Sequence, residues 1–232
     1  MTREPDLAID ELSGLEVWRI GHHPFPWRWV DWRYAEHGIF TNRWDDPDGL
    51  FRVAYAASSL RGALLEVLAQ FRVDPQLDES LAEIDDDPAY PTQPAGVVRR
   101  SWFGRRSASS ALLSGRFCQI TRSETIRALR PHFLATAKRL GHDDFDAAVL
   151  RDGVPRQLTR AVSAHLYAVY ADLQGIAYRS RHGDEEKLWA VWEQPTDVDY
   201  SQALSSLSAP APLTDGLTEV RDVLDFFVLR VQ

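Results

Sequence analysis

The chain has 232 residues, 44% of them hydrophobic and 26% charged, with a net charge of −8. It is long enough to bury a large core, and its acidic balance argues against direct nucleic-acid binding, which rests on a basic face. No apolar run approaches the roughly 20 residues of a membrane span. Cys118 is the single cysteine, which excludes an internal disulfide or a cysteine zinc site and makes a reducing cytoplasm the simplest setting.

Residues 1–13 are polar and carry no signal-peptide pattern. Leu15–Ile20 alternates and predicts a strand, with Leu15, Val17 and Arg19 on one face. An arginine on a face shared with two aliphatics either has a partner or ligand, or reaches the rim of the sheet. Residues 21–41 read as an aromatic loop holding Trp27, Trp29 and Trp32, which either covers the sheet or lines a pocket. His22 and His23 are adjacent, not at the i, i+3 or i, i+4 spacing of a helical metal site, so no metal is expected.

The most informative stretch is 42–71. Asn42-Arg-Trp-Asp-Asp-Pro47 reads as a loop, Phe51–Ala57 as a strand and Ser58–Phe71 as a helix capped by Ser58 or Ser59. Apolar residues at 60, 63, 64, 67, 68 and 71 form the packing stripe of that helix. Glu66 falls off the stripe, on the side of Ser59 and Gly62. A mid-helix glycine costs about 1 kcal/mol against alanine. A bare patch beside the Glu66 carboxylate would be one reason to tolerate that cost; a solvated surface glutamate is the alternative. Tyr55 ends the strand beside the helix cap, a favoured position for sites but also for ordinary core.

An acidic, proline-dotted run follows through Pro94, with a short helix expected over 76–84. Residues 97–106 hold a basic cluster with aromatics, read as pairing with that acidic run. Residues 115–120 predict a strand. A helix follows over 121–140, kinked or split at Pro131, then a short helix over 143–150. A long helix runs from Pro155 to Leu173, with His165 on its packing face. Strands over 175–181 and 188–192 make a hairpin, 194–215 reads as a linker, and a closing helix spans 216–231.

No Walker loop, dinucleotide-binding glycine motif or G-x-S-x-G elbow is present. What remains is arginines, a tyrosine, a glutamate and a serine at predicted strand and helix ends. Arginines suit a pyrophosphate, a tyrosine suits stacking on a heteroaromatic ring, and one glutamate suits a positive charge developing on a sugar. Together they suit a dinucleotide cleaved at its glycosidic bond.

The ordered segments Val17-Trp-Arg-Ile20, Asn42-Arg-Trp44, Val53-Ala-Tyr-Ala56, Leu64-Leu-Glu-Val67 and Gly175-Ile-Ala-Tyr-Arg-Ser180 resemble the RES-domain family. The resemblance implies an α+β fold with a curved, split β-sheet, flanking helices and an ADP-ribosyltransferase-like NAD-binding cleft. It implies one domain over 1–232, with a core of about 15–193, a helical insertion of about 121–173 and a C-terminal helix of about 216–231. It also implies a toxin that consumes NAD+ as substrate by glycohydrolysis or phosphorolysis, with an Xre-like antitoxin as partner and a possible homodimer. A protein mono-ADP-ribosyltransferase and an inactive binding module of the same fold are the alternatives. By resemblance, Arg19 and Arg43 hold phosphate or ribose and Tyr55 stacks near nicotinamide. Glu66 stabilises the oxocarbenium-like state, and Ser180 binds the nicotinamide side. This chain departs from the family at Thr41-Asn42 and Asp45-Asp46-Pro47. An acidic pair there disfavours a pyrophosphate unless the carboxylates turn away or pair with arginine.

Overall fold

The computed structural model describes residues 7–73 and 94–232. The short helix expected over 76–84, and the acidic run proposed to pair with the basic cluster, lie outside the described residues. The fold is mixed α+β. Its strands are β1 (Ile9–His22), β2 (Val53–Ala57), β3 (Val97–Val98), β4 (Arg106–Gln119), β5 (Gly175–Ser180), β6 (Gly183–Trp192), β7 (Leu204–Ser205), β8 (Ala211–Pro212) and β9 (Arg230–Val231). Its helices are α1 (Leu60–Leu68), α2 (Arg100–Gly104), α3 (Ser123–Arg139), α4 (Ala147–Asp152), α5 (Arg156–Val169) and α6 (Thr218–Phe226).

The expected curved, split sheet is instead closed into a five-stranded barrel in the order β1-β2-β6-β5-β4, with β4 pairing back to β1. Closure depends on two strands longer than their sequence signals. β1 and β4 pair antiparallel from Ile9↔Cys118 to His22↔Arg106, with a bulge between Leu12 and Leu15. Gly14 sits in that bulge at φ 74°, which lets the strand bend without a Cβ clash. The far edge of β1 meets β2 at Trp18↔Ala57. The far edge of β4 is shared by β8, β7 and, in parallel, β5. Alternation shows neither a strand's full length nor which strand pairs back on which, so the sheet reads as open from sequence.

The two faces of the strands carry separate apolar clusters. Val17, Ala54, Ala56, Ala111, Leu113, Ala177, Trp189 and Val191 form one cluster, closed over by Trp27 and Trp29. Its alanines leave room for the larger Leu113, Phe117 and Trp189 side chains of the same cluster. The opposite face contributes Ile20, Cys118, Ile176, Leu188, Ala190 and Trp192, packed against apolar residues of α1, α3, α5 and α6. The Trp-rich loop is therefore a cover. Trp27 and Trp29 are buried, and Trp32 packs on Phe40 with ring centroids 5.4 Å apart.

Several expectations need correction. Of the two outcomes expected at Pro131, a split does not occur, because α3 continues through it to Arg139. The closing helix stops at Phe226, and Arg230–Val231 becomes a strand parallel to β3. The linker over 194–215 contains β7 and β8, each too short to show alternation. The basic cluster is partly structural, with the Arg106 guanidinium 4.2 Å from the Trp102 ring centre and Arg100 paired with Asp215. Among the described residues no helix is long and apolar enough to cross a membrane.

Candidate functional site

Strand β2 and helix α1 are joined by Ser58–Ser59, and the turn is locked from outside. Ser59 Oγ accepts from the Gly62 N–H at 2.9 Å, so Ser59 is the cap. Both serine hydroxyls donate to Glu186 of β6 at 2.8–2.9 Å. Glu186 is buried, which also explains Gly62. A Cβ at Gly62 would stand 2.8 Å from Glu186 Cδ and closer still to Oε2. The bare patch expected beside Glu66 is thus room for a different carboxylate, one that sequence spacing could not connect to it.

With α1 fixed at its start, Glu66 projects one turn further on into a cavity of about 470 Å³, within the usual size range of small-molecule sites. Arg19, Arg43, Tyr55 and Glu66 all line this cavity, with Tyr178, Gly153, Arg156, Arg181 and His182. Glu66 is half-buried. Its Oε1 accepts a hydrogen bond from Ser180 Oγ at 2.6 Å. Ser180 is 1% exposed and does not itself line the cavity. Its Oγ also accepts from the His182 N–H at 3.0 Å. Its one proton is therefore given to Glu66, and the serine acts as a brace that fixes the carboxylate.

Arg19 lies where β1 and β2 diverge. Its Nε donates to Pro26 O at 2.7 Å and its Nη1 to Tyr55 O at 2.8 Å. Burial lowers its pKa to about 10, opposed by Tyr55 and Asp45 nearby, so it stays charged at neutral pH. The Tyr55 hydroxyl accepts from the Trp44 N–H and donates to Asp45 Oδ1, each at 3.0 Å. Burial, with the Asp45 charge, holds that phenol well above its usual range. Tyr55 thus offers the cavity its ring while its hydroxyl ties down the loop carrying Arg43.

That loop resolves the acidic pair. Asp45 and Asp46 are 3% and 2% exposed, and both turn inward. Asp45 Oδ2 accepts from Asn42 N at 2.6 Å and Asn42 Nδ2 at 2.8 Å. Asp46 Oδ2 accepts from Asp48 N at 3.0 Å and Leu50 N at 2.7 Å. Neither carboxylate lines the cavity. Burial raises the Asp45 pKa against the pull of these bonds.

Arg43 stands free of them. Its guanidinium lies 5.5 Å from the Tyr178 ring centre and 5.7 Å from that of Trp44. Burial lowers its pKa, with Tyr178 and Glu66 opposing the shift. Tyr178, like Tyr55, is pushed up by burial, and next by the Glu66 charge. His182 is pulled down to about 4 by burial and then by Arg181, Arg72 and Arg43.

Sequence reasoning missed Tyr178, Arg156, Arg181, His182 and Gly153. Tyr178 had a signal, since it sits two residues before Ser180 on one strand and shares its face. The others come from loop ends that only the fold brings in. Among the described residues no cluster suited to a metal ion is present.

Two carboxylates, Glu66 and Asp152, three aromatic rings, Trp18, Tyr55 and Tyr178, and four arginines, Arg19, Arg43, Arg156 and Arg181, line this cavity, an excess of cations that suits an anionic ligand. The family model of the RES domain matches residues 16–210, and the chain belongs to that family, whose members are NAD-related toxin domains associated with Xre antitoxin partners. No curated protein and no solved structure matches the chain.

Proposed function

We propose that this chain consumes NAD+ by breaking the bond between the nicotinamide nitrogen and the ribose C1′. The observation that carries the reading is the pairing of Glu66, braced by buried Ser180, with Arg19 and Arg43 in one cavity. As the bond breaks, nicotinamide leaves with the bonding electron pair and becomes neutral, while the ribosyl centre becomes an oxocarbenium-like cation. The Glu66 oxygen not engaged by Ser180 is available to stabilise that cation. Water or phosphate then adds at C1′, giving ADP-ribose and a proton, or ADP-ribose 1″-phosphate. The guanidiniums of Arg43 and Arg19 hold the diphosphate, and the rings of Tyr55 and Tyr178 provide the apolar wall for nicotinamide.

The inward turn of Asp45 and Asp46 removes the feature that favoured an inactive binding module. The family association supports an Xre-type antitoxin as partner and a cytoplasmic setting, where NAD+ is available. The test is incubation of purified protein with NAD+, with and without phosphate, followed by separation of the products. Nicotinamide with ADP-ribose, or with its phosphate, supports the reading. Label transferred to protein redirects it to ADP-ribosylation, and intact NAD+ refutes it.

A further inference from the structure

The loop carrying Arg43 is held on every side except at Arg43 itself. Trp44 N–H donates to Tyr55, and Trp44 O accepts from Ser163 Oγ at 2.6 Å. Arg160 Nη2 donates to Asp46 O at 3.0 Å. Among the described residues Arg43 has no hydrogen bond or ion pair, and its Nη2 is buried without a partner. A buried guanidinium nitrogen left unmatched is costly, and the residues around it are engaged in fixing the loop. What borders the guanidinium is the rings of Trp44 and Tyr178 and the backbone of Gly153.

Gly153 ends α4 in the left-handed conformation, φ 66° and ψ 22°. A Cβ there would lie 2.5 Å from Arg43 Nε, 3.0 Å from Nη2 and 3.1 Å from Cζ. The atoms met are the far end of a flexible side chain, so the chain folds around such a change by moving Arg43. We infer that Gly153 is a positioning residue for Arg43, keeping the guanidinium against Trp44 and Tyr178 with its donor fork reserved for the substrate diphosphate. The inference rests on the NAD+ reading above and adds to it a residue from the helical segment over 121–173, which the resemblance treats as an insertion.

Gly141 supplies the control. It has φ 90°, and a Cβ added there would meet no atom within 4 Å, so alanine brings similar backbone strain and no contact. The experiment measures ADP-ribose binding by calorimetry and steady-state nicotinamide release for wild type, Gly153→Ala, Gly141→Ala, Arg43→Lys and the Arg43→Lys/Gly153→Ala pair. Gly153→Asn, which tolerates the left-handed region, replaces Gly153→Ala if that protein does not fold. Gly153→Ala is expected to weaken ADP-ribose binding and raise KM by roughly tenfold with kcat within about twofold, the pattern of lost uniform binding. Gly141→Ala should match wild type, and Gly153→Ala should cost nothing further once Arg43 is lysine. Wild-type affinity in Gly153→Ala, or equal losses in both alanine variants, overturns the inference and leaves the NAD+ reading intact. Wild-type protein that neither binds ADP-ribose nor releases nicotinamide overturns both.

Discussion

Replacing Gly62 with alanine sets helix propensity against packing, and the two give opposite signs. In an ordinary helix interior the change stabilises by about 1 kcal/mol. Here the new methyl would stand 2.8 Å from Glu186 Cδ and 3.3 Å from the Ala57 Cβ. Glu186 is 7% exposed, so it has little room to retreat, and retreat breaks its bonds from Ser58 and Ser59. Loss of one hydrogen bond to a charged group costs about 1.5–3 kcal/mol, and overpacking adds about 1–3 kcal/mol. The net expectation is destabilisation by roughly 1.5–5 kcal/mol, which lowers Tm by about 2–4 °C per kcal/mol for a chain of this size. Thermal and denaturant melts of wild type and Gly62→Ala measure it. In a Glu186→Ala background the same change should become neutral or stabilising. A raised Tm for the single variant would refute the reasoning.

Glu66→Gln keeps the shape of the side chain but removes its charge, and nicotinamide release should fall by about 10² or more; turnover near the wild-type rate would show that another group stabilises the cation. Ser180→Ala frees Glu66 Oε1 and leaves the His182 N–H without its acceptor. It should lower kcat more than it raises KM and cost roughly 1–3 kcal/mol of stability, checked by kinetics and melts on one preparation; unchanged kcat would remove the brace from the mechanism. His182 is held down to about 4, against about 6.5 in an unfolded chain. Between those values the unfolded state binds the extra proton, so this group's contribution to stability is lost as pH falls from about 6.5 toward 4. Melts across that range should show a shallower pH dependence for His182→Gln, and parallel curves would mean that the imidazole titrates normally.

Much of the local structure was legible because its causes are local. Alternation located the centre of β1, and the 3.6-residue stripe and serine cap located α1. Arg19, Arg43, Tyr55 and Glu66 stood out as residue types that tolerate burial only with a partner or a ligand. Gly62 was the instructive misreading. Its neighbour of consequence is Glu186, which lies 124 positions away along the chain, and no helical period points there.

Sequence alone determined the main helices, the centres of the main strands, the family and the chemical types available to a site, because caps, periodicity and motif order act over a few residues. Tertiary structure alone decided that the sheet closes into a barrel, that Ser180 braces Glu66 from behind, that Asp45 and Asp46 turn inward, and that Gly153 walls in Arg43. Each of those outcomes is a contact between distant segments, set by pairing register and packing rather than by the preferences of either segment on its own.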